Sequence, residues 1–73
     1  MRELGLPAEK RSMVGEQLRE AAGIGDVTGI HALARSLMAG DAAEAAVGEQ
    51  ITRLATSFDF GGLEELARAL ERA

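Results

Sequence analysis

Apolar residues recur at intervals of three and four along most of the chain and nowhere alternate with period two, a pattern that predicts helices and no strands. A first helix is expected from Pro7 to about Ala22. Proline suits a first helical position, where its missing N–H has no intrahelical partner to lose. Met13, Val14, Leu18, Ala21 and Ala22 share its apolar side, and Gly23 and Gly25 stop it. Asp26 supplies a carboxylate to cap a second helix, with Val27, Ile30, Leu33, Ala34 and Leu37 as its stripe and Gly40 as its end. Asp41 caps a third, from Ala42 to about Ser57, whose stripe is Ala43, Val47, Ile51, Leu54 and Phe58. Asp59 caps a fourth, on which Phe60, Leu63, Leu66, Ala67 and Leu70 share one face. The fold class that follows is all-α: a compact bundle of four short helices in a single domain, residues 1–73.

Phe58, Asp59, Phe60 and Leu63 form the expected structural corner between the last two helices. The two rings flank the turn, and both are expected to fill core space that alanines cannot. Stacking on a ligand is the other role open to them. Gly61 and Gly62 keep the first turn of the last helix small. Gly29 and Gly48 lie inside helices, where each costs up to about 1 kcal/mol relative to alanine. Close approach of a neighbouring backbone is the compensation expected of them.

Composition narrows the picture. Of the 47% apolar residues, alanine is the commonest type, so a chain of 73 residues must build its core from few large side chains. A domain of this size buries only about 60% of its unfolded surface, and a core this thin invites completion by a partner or a second copy. There is no cysteine, which removes disulfides, thiol nucleophiles and zinc–thiolate sites. The formal charge of −4 repels phosphate backbones, so no nucleic-acid partner is expected. No apolar run approaches the roughly 20 residues of a membrane span, and Met1-Arg2-Glu3-Leu4 is not followed by the apolar segment of a signal peptide. A cytoplasmic location is the expectation.

Catalytic chemistry has little to stand on. His31 is the one histidine, a step off the stripe of the second helix, and the hydroxyl residues fit no recognisable histidine-and-acid motif. No phosphate-loop, dinucleotide or zinc-protease motif occurs, and no cofactor or metal is expected. Glu64 and Arg68 stand one turn apart on the last helix and are expected to pair at its surface. LARSL at 33–37 returns as LARAL at 66–70, an offset of 33 residues. Alanine–leucine helices produce such echoes by composition, and with no third copy this one is set aside as chance.

Leu6-Pro7, Leu18 with Ala21, the Gly25-Asp26 turn followed by Ile30, then Ile51, Leu54-Ala55, Phe58-Asp59-Phe60 and Leu63 together resemble a short helical segment. That segment stands at the C-terminal end of many bacterial hybrid sensor kinases and related response-regulator proteins. The chain is also similar in outline to histidine phosphotransfer domains, helical bundles that relay phosphate between receiver domains. Those domains carry an H-x-x-K-G signature; here His31 is followed by Ala34 in the lysine position and Arg35 in the glycine position. The turn-to-histidine distance is also shorter than is usual in that family. The resemblance therefore implies a non-catalytic interaction module of a two-component-type signalling protein, with a receiver domain, a kinase domain or a second copy as its protein partner. Two alternatives stay open: phosphotransfer through His31, and a docking or assembly domain of another multidomain system.

Overall fold

Four helices make up nearly all of the computed structural model, which describes residues 6–72. They are α1 (Ala8–Gly23), α2 (Val27–Met38), α3 (Ala42–Thr56) and α4 (Phe60–Arg72), with no strand among the described residues. The Met1-Arg2-Glu3-Leu4 stretch lies outside them. Pro7 stands just before α1 rather than as its first residue, and its carbonyl accepts the Arg11 N–H at 2.9 Å. Each later helix opens on the expected aspartate. Asp26 accepts the Gly29 N–H at 3.0 Å, Asp59 accepts that of Gly62 at 2.9 Å, and Asp41 accepts that of Glu44 at 2.9 Å. At α3 the cap is reciprocal, because the Glu44 carboxylate accepts the Asp41 N–H at 3.2 Å. The Glu44 carboxylate also pairs with Lys10 at 3.1 Å, tying the start of α3 to α1.

The helices pack in crossed fashion. α1 lies chiefly against α4 and α2 against α3, while the sequential pairs α1–α2 and α3–α4 meet far less. Apart from Leu6, the buried apolar core is one set of residues taken twice. Val14, Leu18, Ala22, Ile30, Ala34 and Leu37 come from the first helix pair; Val47, Ile51, Ala55, Leu63, Ala67 and Leu70 come from the second. Every member of the second set follows its counterpart by 33 residues. An approximate two-fold exchanging the two helix pairs accounts for both the core and the crossed packing.

The echo set aside as chance is thus part of a longer internal repeat. Val14-Gly15-Glu16-Gln17 returns as Val47-Gly48-Glu49-Gln50 at the same offset, as do Ala22 with Ala55, Asp26 with Asp59 and Gly29 with Gly62. Composition does not produce this agreement. The repeated positions include those that the two-fold packing needs, namely caps, core and helix crossings, together with exposed residues such as Glu16 and Glu49 or Arg35 and Arg68.

Gly15 and Gly48 mark those crossings. A Cβ on Gly15 would lie 2.8 Å from the Ala67 carbonyl oxygen and 2.7 Å from Glu71 Cγ. One on Gly48 would lie 2.7 Å from the Ala34 carbonyl oxygen and 2.8 Å from Met38 Cγ. Ala34 and Ala67 are again 33 apart, as are Met38 and Glu71. Of the two glycines expected to admit a neighbouring backbone, Gly48 does so. Gly29 instead sits against its own capping aspartate, Asp26, and Gly15 takes the second crossing.

Several expected placements change. Met13 is 52% exposed, because the buried face of α1 runs through Val14, Gly15, Leu18 and Ala22 and leaves position 13 to one side. Ala21, Leu33, Ala43, Leu54, Phe60 and Leu66 are only partly buried, packed around the core. The ion pairs among the described residues are Lys10–Glu44 and Arg19–Glu71, the latter at 3.2 Å, in place of the expected Glu64–Arg68. The long-range α1–α4 packing sets that partnership rather than spacing along one helix.

Gly15→Ala and Gly48→Ala should therefore each destabilise the protein. Helix propensity favours alanine by about 1 kcal/mol, but a methyl group pressed against a neighbouring backbone carbonyl costs on the order of 1–3 kcal/mol. Chemical denaturation should place both variants below the parent and, given the two-fold, at similar stabilities. A gain at either position would mean that the crossing is looser than these distances.

Candidate interaction surface

The expected corner divides into two kinds of residue. Leu63 is fully buried, and Phe60 is half-buried against the core. Asp59 caps α4 as expected. Phe58 is not in the core: it is 67% exposed, and its backbone has φ +57°. The reason is how α3 ends. The Phe58 N–H bonds the Ala55 carbonyl at 3.0 Å and the Asp59 N–H bonds the Leu54 carbonyl at 2.9 Å, a Schellman closure that needs one residue in the left-handed region. That turn swings the side chain off the stripe it would continue in an unbroken helix. The Phe58 and Phe60 ring centroids remain 6.5 Å apart, tilted by 53°.

α1 ends the same way. The Gly25 N–H bonds the Ala22 carbonyl at 3.2 Å, the Asp26 N–H bonds the Ala21 carbonyl at 2.8 Å, and Gly25 has φ +68°. Gly25 and Phe58 are counterparts in the repeat. The left-handed position at 58 was thus foreshadowed by the glycine 33 residues earlier, a signal visible only once the repeat is accepted.

The two halves differ most at their surfaces. In the first, a groove of about 490 Å³ opens between the end of α1 and the start of α2, lined by Gln17, Glu20, Ala21, Ile24, Asp26, Gly29 and Leu33. Ile24 is 80% exposed beside it. In the second half, Leu54 stands in the place of Ala21, and its Cδ2 lies 3.0 Å from where a Cβ on Gly62 would be. Leu54 therefore packs beside Gly62 in addition to the Asp59 carboxylate, whereas Gly29, with the Asp26 carboxylate against it, lines the groove beside the short Ala21 side chain. Arg53 replaces Glu20, and Ser57 replaces Ile24.

His31 lies elsewhere, half-buried in a smaller cleft of about 250 Å³ with Arg35, Met38 and Thr52. The Thr52 hydroxyl donates to the Gly48 carbonyl at 3.0 Å and lies 3.9 Å from Met38 Sδ. In the other half, Arg19 and Glu71 replace Thr52 and Met38, and their ion pair spans the equivalent space. Arg35 and Thr52 thus line the cleft with His31, and none of Phe58, Asp59, Phe60 and Leu63 lines it. No group of three or more His, Asp or Glu side chains among the described residues is arranged to hold a metal ion. No described helix is long and apolar enough to cross a membrane.

Comparison with known proteins returns no matching family model, no similar characterised protein and no similar solved structure.

Phe58→Gly tests the corner directly. Left-handed backbone costs a non-glycine residue roughly 1–2 kcal/mol, while glycine adds unfolded-state entropy of about 0.5–1 kcal/mol. The variant should melt at or slightly above the parent temperature, far from the roughly 3–5 kcal/mol lost when a buried phenylalanine is truncated. A large drop in melting temperature would place the ring back in the core.

Proposed function

We propose that this chain is a non-catalytic helical interaction module of a bacterial two-component-type signalling protein, acting in the cytoplasm by docking a receiver or kinase domain. The observation that carries the interaction reading is the groove beside Ile24. It lies between the end of α1 and the start of α2, where Ala21, Ile24 and Leu33 line it together with Gln17, Glu20, Asp26 and Gly29, and in the second half Leu54 packs into the equivalent place. An isoleucine left 80% exposed beside such a groove is the kind of feature that marks a contact site. The signalling context comes from the resemblance of the helix-and-turn pattern to the C-terminal segments of sensor kinases.

Calorimetric titration with isolated receiver and kinase domains, the receivers with and without phosphorylation, tests this reading. Saturable binding to one of them is expected. Ile24→Ser, which copies Ser57 of the second half, should weaken it by about tenfold, as expected when a large aliphatic contact is lost. Its melting temperature should stay close to the parent value, because Ile24 contributes little to the core. Absence of binding to every such domain would leave a docking domain of another multidomain system as the reading.

Phosphotransfer through His31 is the second reading, and the cleft gives it a specific basis: a guanidinium one turn along the helix and a hydroxyl on α3 both line it. Against it stand the half-buried imidazole and the absence of the lysine–glycine pair. Incubation with phosphorylated receivers should give no acid-labile phosphohistidine, and His31→Gln should bind partners as the parent does. Labelling that vanishes in His31→Gln would establish phosphotransfer instead.

A further inference from the structure

The internal repeat allows the molecule to be compared with itself. The two corners share their fold: the same Schellman closure, the same aspartate cap and the same glycine two residues inside the helix. Among the positions where they differ, one lies directly beside that glycine. Where Leu54 lies across Gly62, the first half has Ala21 beside Gly29, with the groove between them. The first corner therefore lacks one aliphatic side chain that the second corner supplies from its own α3.

Charge distinguishes the corners as well. Glu20 and Asp26 are among the residues that line the groove, and the counterpart of Glu20 is Arg53. The chain as a whole has a formal charge of −4. An incoming segment thus meets Ala21, Ile24 and Leu33 together with two carboxylates, of which Asp26 already accepts the Gly29 N–H and exposed Glu20 favours a cation beside the inserted side chain.

Resting on the interaction reading above, we propose that the α1–α2 groove binds an amphipathic segment of a partner protein through a leucine-class side chain, with a lysine or arginine next to it. The inserted side chain takes the place that Leu54 takes in the second half, over Gly29 and against Ala21 and Leu33. The neighbouring cation faces Glu20. A second copy of this chain is a poorer occupant, since its net negative charge opposes the carboxylates of Glu20 and Asp26.

The test is titration of the isotope-labelled full chain, followed by amide chemical shifts, with a short amphipathic helical peptide of leucine and lysine whose leucines follow helical spacing. A matched leucine–glutamate peptide is the control. Shifts are expected around Ala21, Gly29 and Leu33, and not around Leu54, Gly62 and Leu66. Ala21→Leu should close the groove as Leu54 closes its counterpart and weaken lysine-peptide binding by about tenfold or more, the cost of excluding one leucine-class side chain. Glu20→Arg should reverse the preference in favour of the glutamate peptide. If Ala21→Leu fails to fold, that reversal decides the matter, because Glu20 is exposed.

Undiminished binding in Ala21→Leu, or shifts centred on the α3–α4 corner, would overturn the proposal. So would shifts at the groove that depend on protein concentration alone, which would assign it to a second copy. Peptide binding in the groove without binding to any receiver or kinase domain would refute the signalling context alone. Receiver binding unaffected by Ala21→Leu would refute the groove assignment alone.

Discussion

The close crossing of helices at Gly15 and Gly48 is the contact on which the rest of the molecule depends. At each glycine, the backbone of a helix from the other half comes within 2.8 Å of where a Cβ would stand. Distance between packed helices is set by the side chains at their contact, so glycine facing alanine brings the axes close. That explains how an alanine-rich core can be sufficient. With the helices drawn together, Val14, Leu18, Ile30, Leu37 and their counterparts fill what space remains, and six of the largest side chains are essentially inaccessible to water.

The same crossing explains why the helix pairs are not self-contained. α1 and α2 meet little apart from their corner, as do α3 and α4, so neither pair buries its apolar face alone. Each face is covered by the other pair through the approximate two-fold. Identity between the halves covers this demand: crossings, caps and most core positions agree, while much of the remaining surface, though not Glu16/Glu49 or Arg35/Arg68, has diverged. Arg19 and Glu71 close one cleft with an ion pair, whereas Thr52 and Met38 leave His31 and Arg35 lining the other. Ala21 and Leu54 differ in the same manner beside the two capping aspartates. A fold held by repeated positions leaves its unrepeated surface available to specialise, and the proposed docking groove belongs to that unrepeated surface.

Much of the architecture was legible in the chain itself. Helical spacing located four helices, and the aspartates at 26, 41 and 59 marked their starts to within a residue, because a cap is a local hydrogen bond between neighbours in sequence. Leu63, Ala67 and Leu70 were placed on the buried face for the same local reason. The repeat was legible too, in VGEQ and LAR[SA]L together, but its significance rests on two segments 33 residues apart occupying equivalent places, and one matching segment alone could be discounted.

Tertiary structure decided the rest. Phe58 satisfies the spacing of the α3 stripe, yet it is exposed, because closing that helix requires a left-handed residue and periodicity does not register the backbone sign. Met13 satisfies the spacing of α1, yet it lies off the face that α4 covers. The partner of Arg19 is Glu71, 52 positions away, and no local rule pairs them. The groove at Ala21 is likewise invisible in sequence, since an alanine on an apolar stripe looks like any other until the facing glycine and the absent leucine are seen together. Local hydrogen bonding and periodicity are written in neighbouring residues; which faces meet, and what they leave uncovered, depends on contacts that exist only after the two halves have closed on each other.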